Sequence, residues 1–299
     1  MVLSYPVFFA IYSVAMIAGI FVGLLLTVGW KDMYWRKALR SVKYNAVYVI
    51  LLAAFPLSIQ GQDMLERYME GSDVSAREIY YTHWIFSLSG RAISIMQDRL
   101  DYGVISDVFA FVYAWLFTFL LYFVPVLLLV KDDRVNMRKY AIAMIFNYVI
   151  LIPFYLLFPV TVSGSHPSSG ITPLLYIDTY WGKMVTSVDP LNNDFPSGHV
   201  SLGVTSMLVF AWEGREYRRV YRFLIGVNIA VIFAVLYLGV HWPADVFAGI
   251  LVAVAATVIS RSEKVQMTID RYVRSLTQKL TREKGPPAEA ATGTRHRGS

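Results

Sequence analysis

The dominant pattern along the chain is the long uncharged run, not the three- or four-residue apolar stripe of a soluble helix. A hydrocarbon core of about 30 Å needs roughly 20 helical residues at about 1.5 Å of rise each. Seven stretches come near that length: 5–30, 44–60, 108–130, 140–162, 197–212, 223–240 and 246–260. The fourth contains Pro153, which a membrane helix tolerates because neighbouring groups satisfy the freed carbonyl. Two further segments do carry stripes. Ile79, Tyr80, Trp84, Ile85, Leu88, Ile95 and Met96 recur near helical spacing with charge between them, and Val265, Ile269, Tyr272, Val273, Leu276 and Leu280 do the same beyond Arg261. Both predict amphipathic helices lying in a membrane interface. The pattern predicts an all-α integral membrane fold of about seven transmembrane helices plus interfacial helices. It divides into two N-terminal transmembrane helices (1–60), an extracytoplasmic interfacial segment (61–105), a five-helix core (106–260), a cytoplasmic amphipathic helix (261–284) and a disordered tail (285–299).

Composition agrees with this picture and narrows the chemistry. Of 299 residues only 16% are charged, against about 25% in ordinary soluble domains, and the mean hydropathy is +0.49. There is no cysteine, so thiolate nucleophiles, disulfides and Cys-ligated metals are excluded. The net charge of +6 raises the question of nucleic acid. Placing the basic residues on alternating sides of the seven runs answers it: 22 of the 27 fall on one side, and Arg67, Arg77, Arg91, Arg99 and Lys183 on the other. Cytoplasmic loops collect Lys and Arg, so the N-terminus is expected outside and the C-terminus in the cytoplasm. The basicity is membrane topology, and no nucleic-acid partner is expected. The first run has no basic segment before it and is expected to stay as a membrane helix, not to be cleaved.

Polar groups at span ends are expensive near lipid and mark candidate sites. Two clusters fall on the extracytoplasmic side. Asn193-Asp194-Phe195-Pro196-Ser197-Gly198-His199 opens the fifth run. Ser197 is a natural N-cap, and Gly198 leaves backbone N–H groups of a positive helix end open to an anion. His199 then lies in the first turn, placed to give a proton to a leaving oxygen. The second cluster, His241-Trp242-Pro243-Ala244-Asp245, follows 42 residues later. Pro243 suits a first helical turn, so Asp245 can reach back to His241. A carboxylate on one imidazole nitrogen directs the other's lone pair, as a nucleophilic histidine requires; the alternative is a plain helix-capping aspartate.

Pro196-Ser197-Gly198-His199 and His241-x-x-x-Asp245 resemble the second and third motifs of the type 2 phosphatidic acid phosphatase superfamily, over roughly residues 106–260. The resemblance implies a helical-bundle phosphatase core with His241 as nucleophile, Asp245 as its orienting partner and His199 as acid. Ser197 and Gly198 would hold phosphate oxygens. Two family features are missing: the arginine of the third motif is replaced by Val235, and the first motif, Lys with Arg-Pro, is absent from the loop Val162-Ser163-Gly164-Ser165-His166-Pro167. His166 and Lys183 are the first candidates to supply phosphate-binding charge, with Arg91 a further one. Similar losses, and Asp-Phe-Pro-Ser before the histidine, resemble the lipid-phosphotransferase branch typified by inositol phosphorylceramide synthase.

Three functions follow as expectations. The first is a membrane phosphatase that removes phosphate from a lipid phosphate or diphosphate at the extracytoplasmic face of the cell membrane, through a phosphohistidine. The second is a head-group transferase with the same first half-reaction, in which a polyol or lipid alcohol replaces water. The third, a non-enzymatic lipid carrier, has no use for the His–Asp pair. His199, His241, Asp245 and His166 match a zinc shell in number, but phosphoryl transfer uses all of them, and neither metal nor cofactor is expected.

Overall fold

The computed structural model describes residues 5–281, leaving out 31, 32, 34, scattered positions between 55 and 73, 101–102 and 178–190. The expected tail at 285–299 lies outside the described residues. Among those residues the chain is helical, in the order α1 (Tyr5–Thr27), α2 (Trp35–Tyr44), α3 (Ala46–Ala53), α4 (Val74–Ser89), α5 (Ala92–Gln97), α6 (Gly103–Phe111), a π-helical turn (Val112–Leu116), α7 (Phe117–Val130), α8 (Arg134–Leu157), α9 (Gly198–Leu208), α10 (Arg218–Tyr237), α11 (Pro243–Arg261) and α12 (Glu263–Thr281).

Five helical segments among the described residues are long and apolar enough to cross a membrane: Ala10–Thr27, Gly103–Val130, Arg134–Leu157, Arg215–Tyr237 and Pro243–Arg261. The other two expected runs correspond to shorter helices. α3 has 8 residues and α9 has 11, so α9 is only about 16 Å long. It nevertheless lies at the centre, packed against α7, α8, α10 and α11. Its polar face is satisfied within the bundle, where water is absent: the Asn147 amide donates to Thr205 Oγ1 at 2.7 Å, and the Ser201 hydroxyl donates to Asn147 Oδ1 at 3.0 Å. α11 comes close enough that a Cβ on Gly249 would sit 2.7 Å from the Ser197 carbonyl oxygen. A small residue at that crossing lets the two helices approach.

The segment expected at the interface forms α4 and α5. Ile85 and Ile93 turn inward and join Val160, Ile171 and Trp242 in a small buried cluster, while Ile79, Tyr80, Trp84, Leu88 and Ile95 stay exposed. An apolar outward face beside an apolar inward one suits a helix lying against lipid. Polar bonds fasten it to the bundle's loops. Thr161 N–H donates to Thr82 Oγ1 at 3.0 Å, and Ala244 N–H donates to Ser89 Oγ at 3.4 Å. Buried Gln97 donates to the carbonyls of Thr172 and Tyr237 at 2.9 and 2.7 Å and accepts from Thr172 N–H at 2.8 Å. This is a braced wall around the loops that carry the histidines.

At the opposite end α12 is amphipathic, as the sequence predicts, and is docked on the bundle. Arg138 donates to Asp270 at 2.5 Å and to Gln266 at 2.7 Å, while Tyr48 donates to Asp270 at 3.1 Å. Nearby, Lys139 and Arg261 both bond Glu213, at 2.8 and 3.1 Å. Burial would raise the Glu213 carboxyl, but these two cations outweigh it and hold it below the ordinary range.

Candidate active site

Three loops, distant in sequence, are knitted by backbone bonds. Val160 N–H donates to Asn192 O at 3.0 Å and Asp194 N–H returns to Val160 O at 3.1 Å. Ser163 and Gly164 donate to Val240 and Gly239 at 3.1 and 2.8 Å, and Ser197 N–H donates to Asp245 O at 3.1 Å. Each side chain on these loops therefore sits on a frame closed by main-chain hydrogen bonds, which keeps buried polar backbone satisfied.

His199 and His241 meet inside this frame. His241 Nε2 lies 3.4 Å from His199 Nδ1. The His199 ring is packed by Tyr113 and Phe117, each with a centroid distance of 4.5 Å. Tyr113 belongs to the π-helical turn, a local irregularity of the sort that recurs at functional sites. His241 is 2% exposed, and burial pushes its imidazole down to about 3, against a smaller lift from the Asp194 main chain.

On its other edge His241 faces two carboxylates. Nδ1 lies 3.7 Å from Asp194 Oδ1 and 3.7 Å from Asp245 Oδ2. Asp245 also accepts Trp242 N–H at 2.7 Å, so it caps the start of α11 while standing 3.7 Å from His241 Nδ1. Asp194 was not singled out by sequence reasoning, although it stands in the Pro-Ser-Gly-His cluster; a carboxylate that close to a motif histidine was the available signal. Asp194, His241 and Asp245 bring one donor atom each within 4.8 Å of one another, in number enough for an open cation site. Turnover that survives a chelator would separate proton chemistry from that arrangement.

The remaining sequence candidates divide. Ser197 caps α9, its hydroxyl accepting Val200 N–H at 3.2 Å, and Gly198 borders the cavity that His199 and His241 face. The need for glycine at 198 is steric: a Cβ there would meet the Tyr155 hydroxyl at 2.6 Å, and that hydroxyl donates to Pro196 O at 3.1 Å. Gly198→Ala is expected to lower turnover by about 100-fold, the usual result of displacing a site by about 1 Å. Tyr155→Phe in the same chain should recover part of it, since the clashing oxygen is gone; steady-state phosphate release from the single and double variants checks this.

His166 is not brought to the histidine pair. Its ring stacks on Phe86 at 4.6 Å, faces His83 at 6.0 Å and stands edge-on to Trp242 at 5.9 Å. Its Nδ1 accepts Ser168 N–H at 3.3 Å. Burial, then the neighbouring His83, holds its pKa below the ordinary value. Arg91 lies over the loop at Gly170. Lys183 lies outside the described residues.

The cavity has a volume of about 560 Å³. It follows α7 and the π turn from Tyr113 to Leu129, about 24 Å of helix axis. Tyr12 of α1 and Val49 and Leu52 of α3 close its sides, while Asp194, Gly198, His199 and His241 supply its polar lining near Tyr113.

The fold and this centre define a helical membrane protein with two histidines and two aspartates gathered in its bundle. Residues 167–264 match the family model described as PAP2 superfamily. The matched residues contain Asp194, His199, His241 and Asp245. No curated protein matches the sequence. The chain is similar to the crystal structure of Aquifex aeolicus LpxE at 18% identity and a TM-score of 0.45, over 58% of this chain and 94% of that one.

Proposed function

We propose that the protein removes phosphate from a membrane lipid phosphate or diphosphate at the extracytoplasmic face, through a phosphohistidine on His241. The observation that carries this is the His199–His241 contact at the polar lining of a long apolar cavity inside the bundle. A hydrocarbon chain occupying the cavity along α7 presents its phosphate to the two histidines. His241 Nε2 attacks phosphorus, the bond to the leaving oxygen breaks, and His199 supplies that oxygen's proton. In the second step His199 takes a proton from water, the water oxygen bonds phosphorus, and the N–P bond breaks. Backbone N–H groups opening α9 stabilise the charge on the phosphate oxygens. No contact from a Lys or Arg to either histidine is found among the described residues, and Lys183 remains the first cation to test.

The reading is tested by giving purified protein radiolabelled phosphatidate, polyprenyl diphosphate and phosphatidylinositol, with and without alcohol acceptors. Label leaving as inorganic phosphate is the expected result. Label moving to an added polyol or lipid alcohol would make the protein a transferase with the same first half-reaction, and label staying on every lipid would overturn both readings. Orientation is tested on the same cysteine-free chain. In intact cells, Ser168→Cys should react with an impermeant maleimide and Glu216→Cys only after lysis; the reverse order would place the site on the cytoplasmic side.

A further inference from the structure

We propose that Asp194 is a positioning residue for His241, acting with Asp245 to hold the imidazole so that Nε2 faces the phosphorus. The inference rests on the nucleophile reading above and adds to it a residue that neither motif assigns. The two carboxylates reach Nδ1 at the same distance, 3.7 Å, from different elements: Asp194 from the loop before α9, Asp245 from the first turn of α11. The Asp245 oxygen on this side is also engaged by Trp242 N–H at 2.7 Å, so its place is dictated first by the helix start. Asp194 is set by a different constraint, its N–H on Val160 O at 3.1 Å, and its side chain is 6% exposed. Nδ1 has no hydrogen-bond partner among the described residues, so the two carboxylates at 3.7 Å restrain the ring as flanking charges on one edge. The opposite edge of the ring faces His199, with Nε2 3.4 Å from His199 Nδ1. The Nδ1 proton stays on the imidazole throughout; Asp194 orients and transfers nothing.

The test compares the full-length wild-type protein with Asp194→Asn, Asp245→Asn, the double variant and Asp194→Glu. Two properties are measured on each preparation. One is the rate at which diethyl pyrocarbonate modifies His241, resolved by peptide mass spectrometry, with His199 as the internal reference. The other is kcat and KM for phosphate release. Asp194→Asn is expected to slow His241 modification relative to His199 and to lower kcat by about 10- to 100-fold, with KM little changed, as for loss of an orienting group with the nucleophile left in place. The two Asn changes should be non-additive, as for residues acting as a unit, and Asp194→Glu should recover part of the loss. Unchanged modification and kcat in Asp194→Asn would overturn the proposal, and so would equal slowing at both histidines, which signals a collapsed site. Turnover abolished by a chelator would also overturn it, because the trio would then be holding a metal. If wild-type protein releases phosphate from none of the lipids, the proposed function fails while the modification rates still decide the role of Asp194.

Discussion

His241→Ala is expected to abolish phosphate release, with kcat lower by about 10⁴- to 10⁶-fold, the range seen when a covalent nucleophile is removed from a coupled group of catalytic residues. The size of the effect follows from what surrounds the site. The chain contains no cysteine to substitute as nucleophile. His199 is 3.4 Å away but cannot take over, because its ring is packed by Tyr113 and Phe117. Ser197, the nearest motif hydroxyl in sequence, is committed to capping α9. Lipid binding should survive, since the cavity along α7 is untouched. The measurement is release of labelled phosphate beside retention of labelled lipid; release within tenfold of wild type would remove His241 from the nucleophile's role.

His199→Ala is the second large effect, a loss of about 10²- to 10⁴-fold, the usual worth of one acid–base group. Its diagnostic is unequal action on the two half-reactions. A substrate with a good leaving group needs no proton in the first step, so phosphoryl transfer to His241 should be nearly normal. Hydrolysis still needs a base for the attacking water. Labelled phosphate should therefore accumulate on the variant protein, on the peptide containing His241, as an acid-labile and base-stable adduct. Equal slowing of the first step for good and poor leaving groups would rule out the acid role. Together the two variants separate nucleophile from acid–base group, because one prevents the covalent adduct and the other preserves it.

Much of the architecture was legible in local pattern. Uncharged runs marked the five long helices with ends displaced by up to about six residues, and the apolar stripe beyond Arg261 marked α12, because both signals depend only on neighbouring residues. Ser197 and Pro243 marked the starts of α9 and α11 for the same reason: capping satisfies N–H groups within one turn. Where the pattern was less informative, long-range packing intervened. The run 197–212 yields a helix of 11 residues, and the stripe of α4 and α5 turned most of its large apolar residues outward while Ile85 and Ile93 packed inward.

The sequence by itself determined the membrane class, the absence of thiol chemistry, and the two histidines with the capping aspartate, since each is a property of composition or of residues within one helical turn. The tertiary structure alone decided which groups share a site. Asp194 reaches His241 because Val160 pairs with the loop before α9. His166 is drawn into the stack with Phe86, away from the histidine pair, because α4 packs over its loop. Gly198 is required by Tyr155, a residue 43 positions earlier on another helix. The cavity exists because α1 packs on α7 and α3 packs on α8. None of these juxtapositions is a local property: each depends on loop closures and helix packing between residues far apart in the chain, whose energies cannot be read from either partner alone.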